Sequence, residues 1–223
     1  MHIGSGFLSP PVWGAMAAVS GAALAGSMAV AGRRLDERRV PLMGVMGAFV
    51  FAAQMVNFPI LAGTSGHLGG GFLLGILLGA PLGVIVMGSI LVVQALLFQD
   101  GGVEALGANI FVMGVLPCLL GGAVRWLWTR GRPGLVTHAV TVLGGVLAVL
   151  AGATAVILFL WWSKSLPANV TLLQAVGVMD FIHLWIGLVE GLVTVAVVRF
   201  ILAVRRDAVL GPAPVPDAKG TAV

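Results

Sequence analysis

Long apolar runs rich in Gly and Ala fill this chain, and its arginines stand in the gaps between them. That alternation leaves few folds open. Backbone in hydrocarbon must satisfy its own N–H and C=O groups, so only helices and closed barrels span a bilayer. A barrel would show alternating segments of about ten residues, whereas these runs approach the roughly 20 residues of a spanning helix. With 59% hydrophobic and 9% charged residues, a soluble domain is excluded. The sequence predicts an all-α integral membrane protein.

Seven crossings are expected, at about 11–31, 40–57, 66–80, 81–98, 108–126, 135–162 and 170–200. The third is short, since about 15 residues at 1.5 Å each reach only some 22 Å. Charge decides whether it crosses. With seven crossings and an outside N-terminus, Arg33, Arg34, Arg38, Arg39, Arg125, Arg130, Arg132, Arg199, Arg205, Arg206 and Lys219 share one side, and only Lys164 lies on the other. Cytoplasmic loops carry such an excess. Without the third crossing, Arg33–Arg39 and Arg125–Arg132 would lie on opposite sides. The expected topology has the N-terminus outside and the C-terminus in the cytoplasm, in a multi-pass protein of a prokaryotic cytoplasmic (inner) membrane. Residues 1–210 form one transmembrane domain, and 211–223 a disordered cytoplasmic tail with too few apolar residues to bury. No basic n-region or cleavage site marks a signal peptide. Topology accounts for the pI near 10.6, so no nucleic-acid partner is expected. Cys118 reads as a small core residue.

The amino terminus carries the chemistry. The Met1 amine, the His2 backbone nitrogen and His2 Nδ1 can close two chelate rings around one metal, and a second imidazole, His67, completes four nitrogens in the plane that Ni(II) or Cu(II) favours. Initiator Met1 is expected to persist because His2 is not small. The Pro10-Pro11 pair starts the first span. Nine extended residues before it reach roughly 30 Å, and Gly4 and Gly6 let them fold back into the bundle. The predicted topology puts Met1, His2 and His67 on one face of the membrane.

Around His67, the run Asn57 to Gly71 is too irregular to face lipid and so lines a cavity or packs in protein. Ser65 or Thr64 is expected to cap the short third helix. Thr64, Ser65, Asn57, Asn109, His183 and Glu190 are candidates for support around the metal or for a polar clamp. Asp180, His183, Gly187 and Glu190 recur at helical spacing on one stripe, and buried carboxylates there need partners. Gln54, Asn57, Gln94 and Asn109 suit interhelical hydrogen bonds, with a polar pocket as the alternative. Small residues recur every four in the first span (Ala17, Gly21, Ala25, Ala29) and the second (Gly44, Ala48, Ala52), permitting close helix contact. Bis-histidine haem ligation would need His138 and His183 at one depth. A serine protease would need an elbow around Ser65 that is missing. No P-loop occurs, so the chain is not itself an ATPase and no catalytic residue is assigned.

Met1-His2-Ile3, Gly6-Phe7-Leu8-Ser9-Pro10, Asn57-Phe58-Pro59, Gly63-Thr64-Ser65-Gly66-His67-Leu68, Gln94 to Phe98, Asp100-Gly101-Gly102, Gly107-Ala108-Asn109 and His183 to Glu190 follow one another in order. Together they resemble the nickel/cobalt substrate-binding subunits of energy-coupling factor transporters. The resemblance implies a seven-helix substrate-capture protein that holds Ni(II) or Co(II) through Met1, His2 and His67 and leans toward nickel. It also implies a coupling transmembrane subunit, two cytoplasmic ATPases and a small accessory membrane protein as partners. Gly4 and Ser5 depart from the family pattern, which carries an acidic residue there. A stand-alone metal permease and a haem-binding electron carrier are the alternative functions.

Overall fold

The computed structural model describes residues 1–60, 64–130 and 133–210. The predicted disordered tail at 211–223 lies outside the described residues. Nine α-helices are described: α1 Pro10–Arg34, α2 Val40–Gln54, α3 Gly71–Leu78, α4 Ala80–Val93, α5 Leu106–Ile110, α6 Leu116–Thr129, α7 Leu135–Trp162, α8 Leu172–Val204 and α9 Arg206–Leu210. Five helical stretches are long and apolar enough to cross a membrane: α1, α4 with its continuation to Phe98, Leu106–Thr129, α7 and α8. The chain is a multi-pass membrane protein.

Local chemistry sets several of these boundaries. Ser9 is extended with Pro at the first helical position of α1, a residue whose missing N–H costs nothing there. Thr171 caps α8 in a reciprocal box with Gln174, satisfying otherwise orphaned donors. Short π-helical turns continue α4 at Gln94–Phe98 and α5 at Phe111–Val115. Such turns concentrate at functional sites, and here one opens on Gln94 and the other follows Asn109.

The third element differs from expectation. The sequence predicts helix across about 66–80, but α3 is only the eight residues Gly71–Leu78, all of them buried. Its N-cap is Gly70, not Ser65 or Thr64. The reason is tertiary. Ser65 pairs with Pro59 in a two-residue antiparallel ladder, β1 Phe58–Pro59 with β2 Ser65–Gly66, and Thr64 bridges Ile3. Gly70 has φ +78°, and a Cβ there would stand 2.5 Å from Val50 Cγ1, so only glycine makes this turn. Along α3, Cβ atoms added at Gly71 and Gly75 would meet the carbonyl oxygens of Met113 and Cys118 at 2.2 and 2.4 Å. That close approach to α6 encloses α3. Cys118 lies in the same contact, buried as expected, with its Sγ donating to Gly71 O.

The ends of the bundle are chemically distinct. At one end Arg125 donates to the carbonyls of Ile76, Leu77 and Val209, tying α6 to the C-terminal end of α3 and to α9. At the other, the amino-terminal segment meets residues 64–70, residues 100–105 and the α7–α8 connection.

Candidate metal centre

The first residues form an inserted strand. Ile3 is fully buried; its N–H donates to Asn109 Oδ1 at 2.8 Å, and its carbonyl accepts from Asn109 Nδ2 at 3.1 Å and from the Gly102 N–H at 2.8 Å. Asn109 is therefore a two-handed clamp on the terminus. Glu104 accepts the Gly6 N–H and the Ser5 hydroxyl, contacts that hold its carboxyl below the ordinary value. The carboxylate lacking at positions 4 and 5 thus arrives from a neighbouring loop. Ser165 Oγ donates to Phe7 O at 2.6 Å, and the Ser9 N–H donates to Ser163 Oγ at 3.0 Å. The Met1 side chain is buried beside Gly152.

This docking brings Met1, His2 and His67 together. The Met1 nitrogen is 2.8 Å from His67 Nε2, and the His2 and His67 rings lie 4.7 Å apart between centroids. Partners assign both tautomers. His67 Nδ1–H donates to Leu68 O at 2.8 Å, which leaves the Nε2 lone pair toward the amine. His2 Nε2–H donates to Gln94 Oε1 at 3.1 Å, which leaves Nδ1 as the free acceptor. Outer hydrogen bonds of this kind fix which nitrogen is available to a metal. Gln94 Nε2 donates onward to Gln54 Oε1 at 3.0 Å, and Gln54 Nε2 to Gly69 O at 2.6 Å. The relay runs through buried amides in one direction and returns to the loop that carries His67.

Among the described residues His2 Nδ1 is buried with no hydrogen bond, and Asp100 Oδ1 stands 3.4 Å from it. Asn57 Nδ2 donates to the other Asp100 oxygen at 3.0 Å. Burial brings the Met1 amine down to about 4 and His2 to about 3, with the neighbouring amine adding to the His2 shift. His67 is held well below its ordinary value, again by burial first and the amine second. The Asp100 carboxyl is raised by its own burial, against the opposing pull of the amine and Asn57. All three nitrogen donors are thus neutral near pH 7, so the His2–Asp100 contact is two acceptors facing one another. A cation relieves that arrangement.

The other candidates separate by role. Glu190 accepts the N–H groups of Gly69 and Gly70 at 2.9 and 2.8 Å, immobilising the turn after His67. Asp180 accepts from Thr154 Oγ1, a clamp between α8 and α7. His183 donates from Nδ1 to Met179 O, while its Nε2 is buried and has no hydrogen bond among the described residues. Thr64 acts through its bridge to Ile3. The Ser65 hydroxyl has no hydrogen bond among the described residues, and the ring of His138 lies by Trp128. Among the described residues no three His, Cys, Asp or Glu side chains converge to hold a metal. Asp100 and the Gln54–Gln94 relay were not expected at the site. An uncommon signal preceded them, two glutamines within otherwise apolar spans.

Similarity to known proteins extends over nearly the whole chain. A family profile named CbiM and described as the cobalt uptake substrate-specific transmembrane region matches residues 2–208. A putative metal transport protein of Haloquadratum walsbyi is 38% identical over 94% of this chain and 93% of its own length. A putative fused nickel transport protein NikMN of Archaeoglobus fulgidus is 35% identical over 94% of this chain and 68% of its own. A crystal structure of a truncated transition metal transporter superposes with a TM-score of 0.80 at 33% identity, covering 91% of this chain and 99% of that one.

Proposed function

Because the chain belongs to the CbiM family of cobalt-uptake transmembrane regions, we propose that it is the substrate-capture subunit of an energy-coupling factor importer for Ni(II) or Co(II). The metal is its cargo. Four nitrogens take it: the Met1 amine, the deprotonated His2 amide, His2 Nδ1 and His67 Nε2. The observation that carries the reading is the buried, unpartnered His2 Nδ1 beside the 2.8 Å contact between the Met1 nitrogen and His67 Nε2. Metal–nitrogen bonds of about 2.0 Å place neighbouring nitrogens of a square plane about 2.8 Å apart. A planar set of four nitrogens favours nickel over cobalt.

Seven passes with the N-terminus outside remain the preferred topology. In its support, Arg125 and α9 gather at the end opposite the nitrogen cluster, and α3 runs from the His67 turn to Arg125. The basic end then faces the cytoplasm of a prokaryotic cell, where two ATPases act through a coupling membrane subunit, with a small accessory membrane protein completing the assembly.

Calorimetric titration with Ni(II) compares protein whose first residue is Met1 with protein extended by one residue before it. The extension turns the amine into an amide and adds a substituent inside a closed site. Tight binding should be lost while the folded fraction is unchanged. Equal affinity in both forms removes the amine from the ligand set.

A further inference from the structure

The basic end holds a second feature that metal capture does not use. A pocket of about 250 Å³ opens where α6, α7, α8 and α9 meet, with Trp128, Leu202 and Ala203 as an apolar floor and His138, Arg199 and Arg206 around it. Neither arginine has an ion pair among the described residues, and Asp207, the acidic neighbour of Arg206, is taken by Arg205 at 3.4 Å. Among the described residues His138 Nε2 is buried without a hydrogen bond. The Trp128 indole is held by donation to Thr141 Oγ1 at 2.9 Å, with its ring 5.5 Å from that of His138. Among the described residues, two guanidinium groups without an ion pair and a buried His138 Nε2 without a hydrogen bond thus meet at one cavity. Guanidinium forks match phosphate oxygens.

The surroundings say what kind of phosphate. Leu135 and Val136 at the start of α7, and Phe200 and Val204 near the end of α8, are strongly exposed on the helices that frame the pocket. Side chains like these rest in hydrocarbon, so an occupant reaching the arginines from the side passes along an apolar surface. A free anion gains nothing from that surface, whereas acyl chains do. Basic pockets between transmembrane helices recognise anionic lipid headgroups.

We propose that this pocket binds the phosphate of an anionic membrane phospholipid, with the headgroup between Arg199, Arg206 and His138 and the acyl chains along the exposed faces of α7 and α8.

Native mass spectrometry of the full chain in an uncharged detergent, titrated with phosphatidylglycerol or phosphatidylcholine, tests this. Phosphatidylglycerol should be preferred. The double substitution Arg199→Gln with Arg206→Gln should weaken its binding roughly 25-fold, about fivefold per charge, without changing phosphatidylcholine retention or Ni(II) affinity. His138→Phe keeps a flat ring, removes the nitrogen and should show a smaller loss. If the double variant does not stay monodisperse, Arg206→Gln alone should show the fivefold loss. Arg33→Gln with Arg38→Gln, at the same end but outside the pocket, should leave the preference intact. Unchanged phosphatidylglycerol binding in the pocket variants, an equal loss in the Arg33/Arg38 control, or equal affinity for phosphatidylcholine would overturn the proposal. Displacement of the lipid by millimolar inorganic phosphate would also overturn it, reassigning the pocket to a free anion.

Discussion

Replacing Asn109 by leucine removes the clamp on the amino terminus without touching any proposed metal ligand. Leucine keeps the branched outline of asparagine but is larger, so the folded fraction is measured alongside binding. Two hydrogen bonds go, those between Asn109 and the Ile3 N–H and carbonyl. The Ile3 N–H is then buried and unpaired, a loss of about 1–3 kcal/mol, while the carbonyl keeps its bond from Gly102 and loses only a net bond of about 0.5–1.5 kcal/mol. Docking of residues 1–4 should weaken by roughly 2–4 kcal/mol. If metal binds only the docked terminus and docking has little energy in reserve, the dissociation constant rises by a factor between about 30 and 1000. Asn109→Asp keeps the acceptor for Ile3 N–H and loses the donor, so its effect should be nearer tenfold. Competition against a chromophoric chelator, on protein with an untagged first residue, measures both. At saturating Ni(II) the visible spectrum should match the parent protein, since the four nitrogens are intact. An Asn109→Leu protein that is folded and binds within about threefold of the parent would show that the clamp does not position the site.

Proton release gives a second measurement. The docked amine, at about 4, and His2, at about 3, hold no proton between pH 6 and 8, and His67 is likewise neutral. Only the His2 amide should release a proton, so calorimetry in buffers of different ionisation enthalpy should find about one per metal; none would exclude the amide. The sign for docking follows from the amine: the free terminus is protonated below its ordinary 8.0 and the docked one only near 4, so docking is strongest above 8 and is lost as pH falls toward 4. The protection factor at Ile3, the exchange rate corrected for the intrinsic pH dependence of amide exchange, should fall by up to about tenfold per pH unit across that window, and a constant protection factor would contradict the burial argument. Gly152→Val places a Cβ 3.2 Å from Met1 Sδ and 3.0 Å from Val112 O; metal binding should fall at least tenfold with helix content retained by circular dichroism. Glu190→Ala strands the Gly69 and Gly70 N–H groups, a destabilisation of roughly 2–6 kcal/mol. A thermal melt unchanged from the parent would show that another group satisfies them.

The helices were legible because arginine spacing and apolar length act locally, and the long ones begin near their expected positions. The third was not. Residues 64–70 are unwound by pairing with Ile3 and Pro59, contacts from distant segments that no periodicity announces. The stripe of Asp180, His183 and Glu190 was legible as a face of α8, but not its three destinations: Thr154, the Met179 carbonyl and the His67 turn. Gln54 and Gln94 looked like ordinary interhelical glue. Their meaning depends on direction, since the relay from His2 to Gly69 works only with each amide oriented as its partner requires. Direction is a property of the assembled bundle.

That assembly bears on which metals the proposed centre can hold. The donors are set by hydrogen bonds to backbone and amide groups rather than by one another, so the ordering entropy of the terminus belongs to folding and not to capture. The 2.8 Å between the Met1 nitrogen and His67 Nε2 is a hydrogen-bond distance, and it coincides with the cis spacing of a square plane. A tetrahedral ion with similar bond lengths requires its nitrogens about 3.3 Å apart. Zinc would have to spread the pair against the Asn109 clamp and the Glu190-held turn, whereas nickel replaces one hydrogen bond without moving either nitrogen. On the proposed ligand set, the same contacts that hide the terminus from water would act as the selectivity device, with selection operating through the rigidity of Ile3 and Gly69 rather than through any residue that touches the ion.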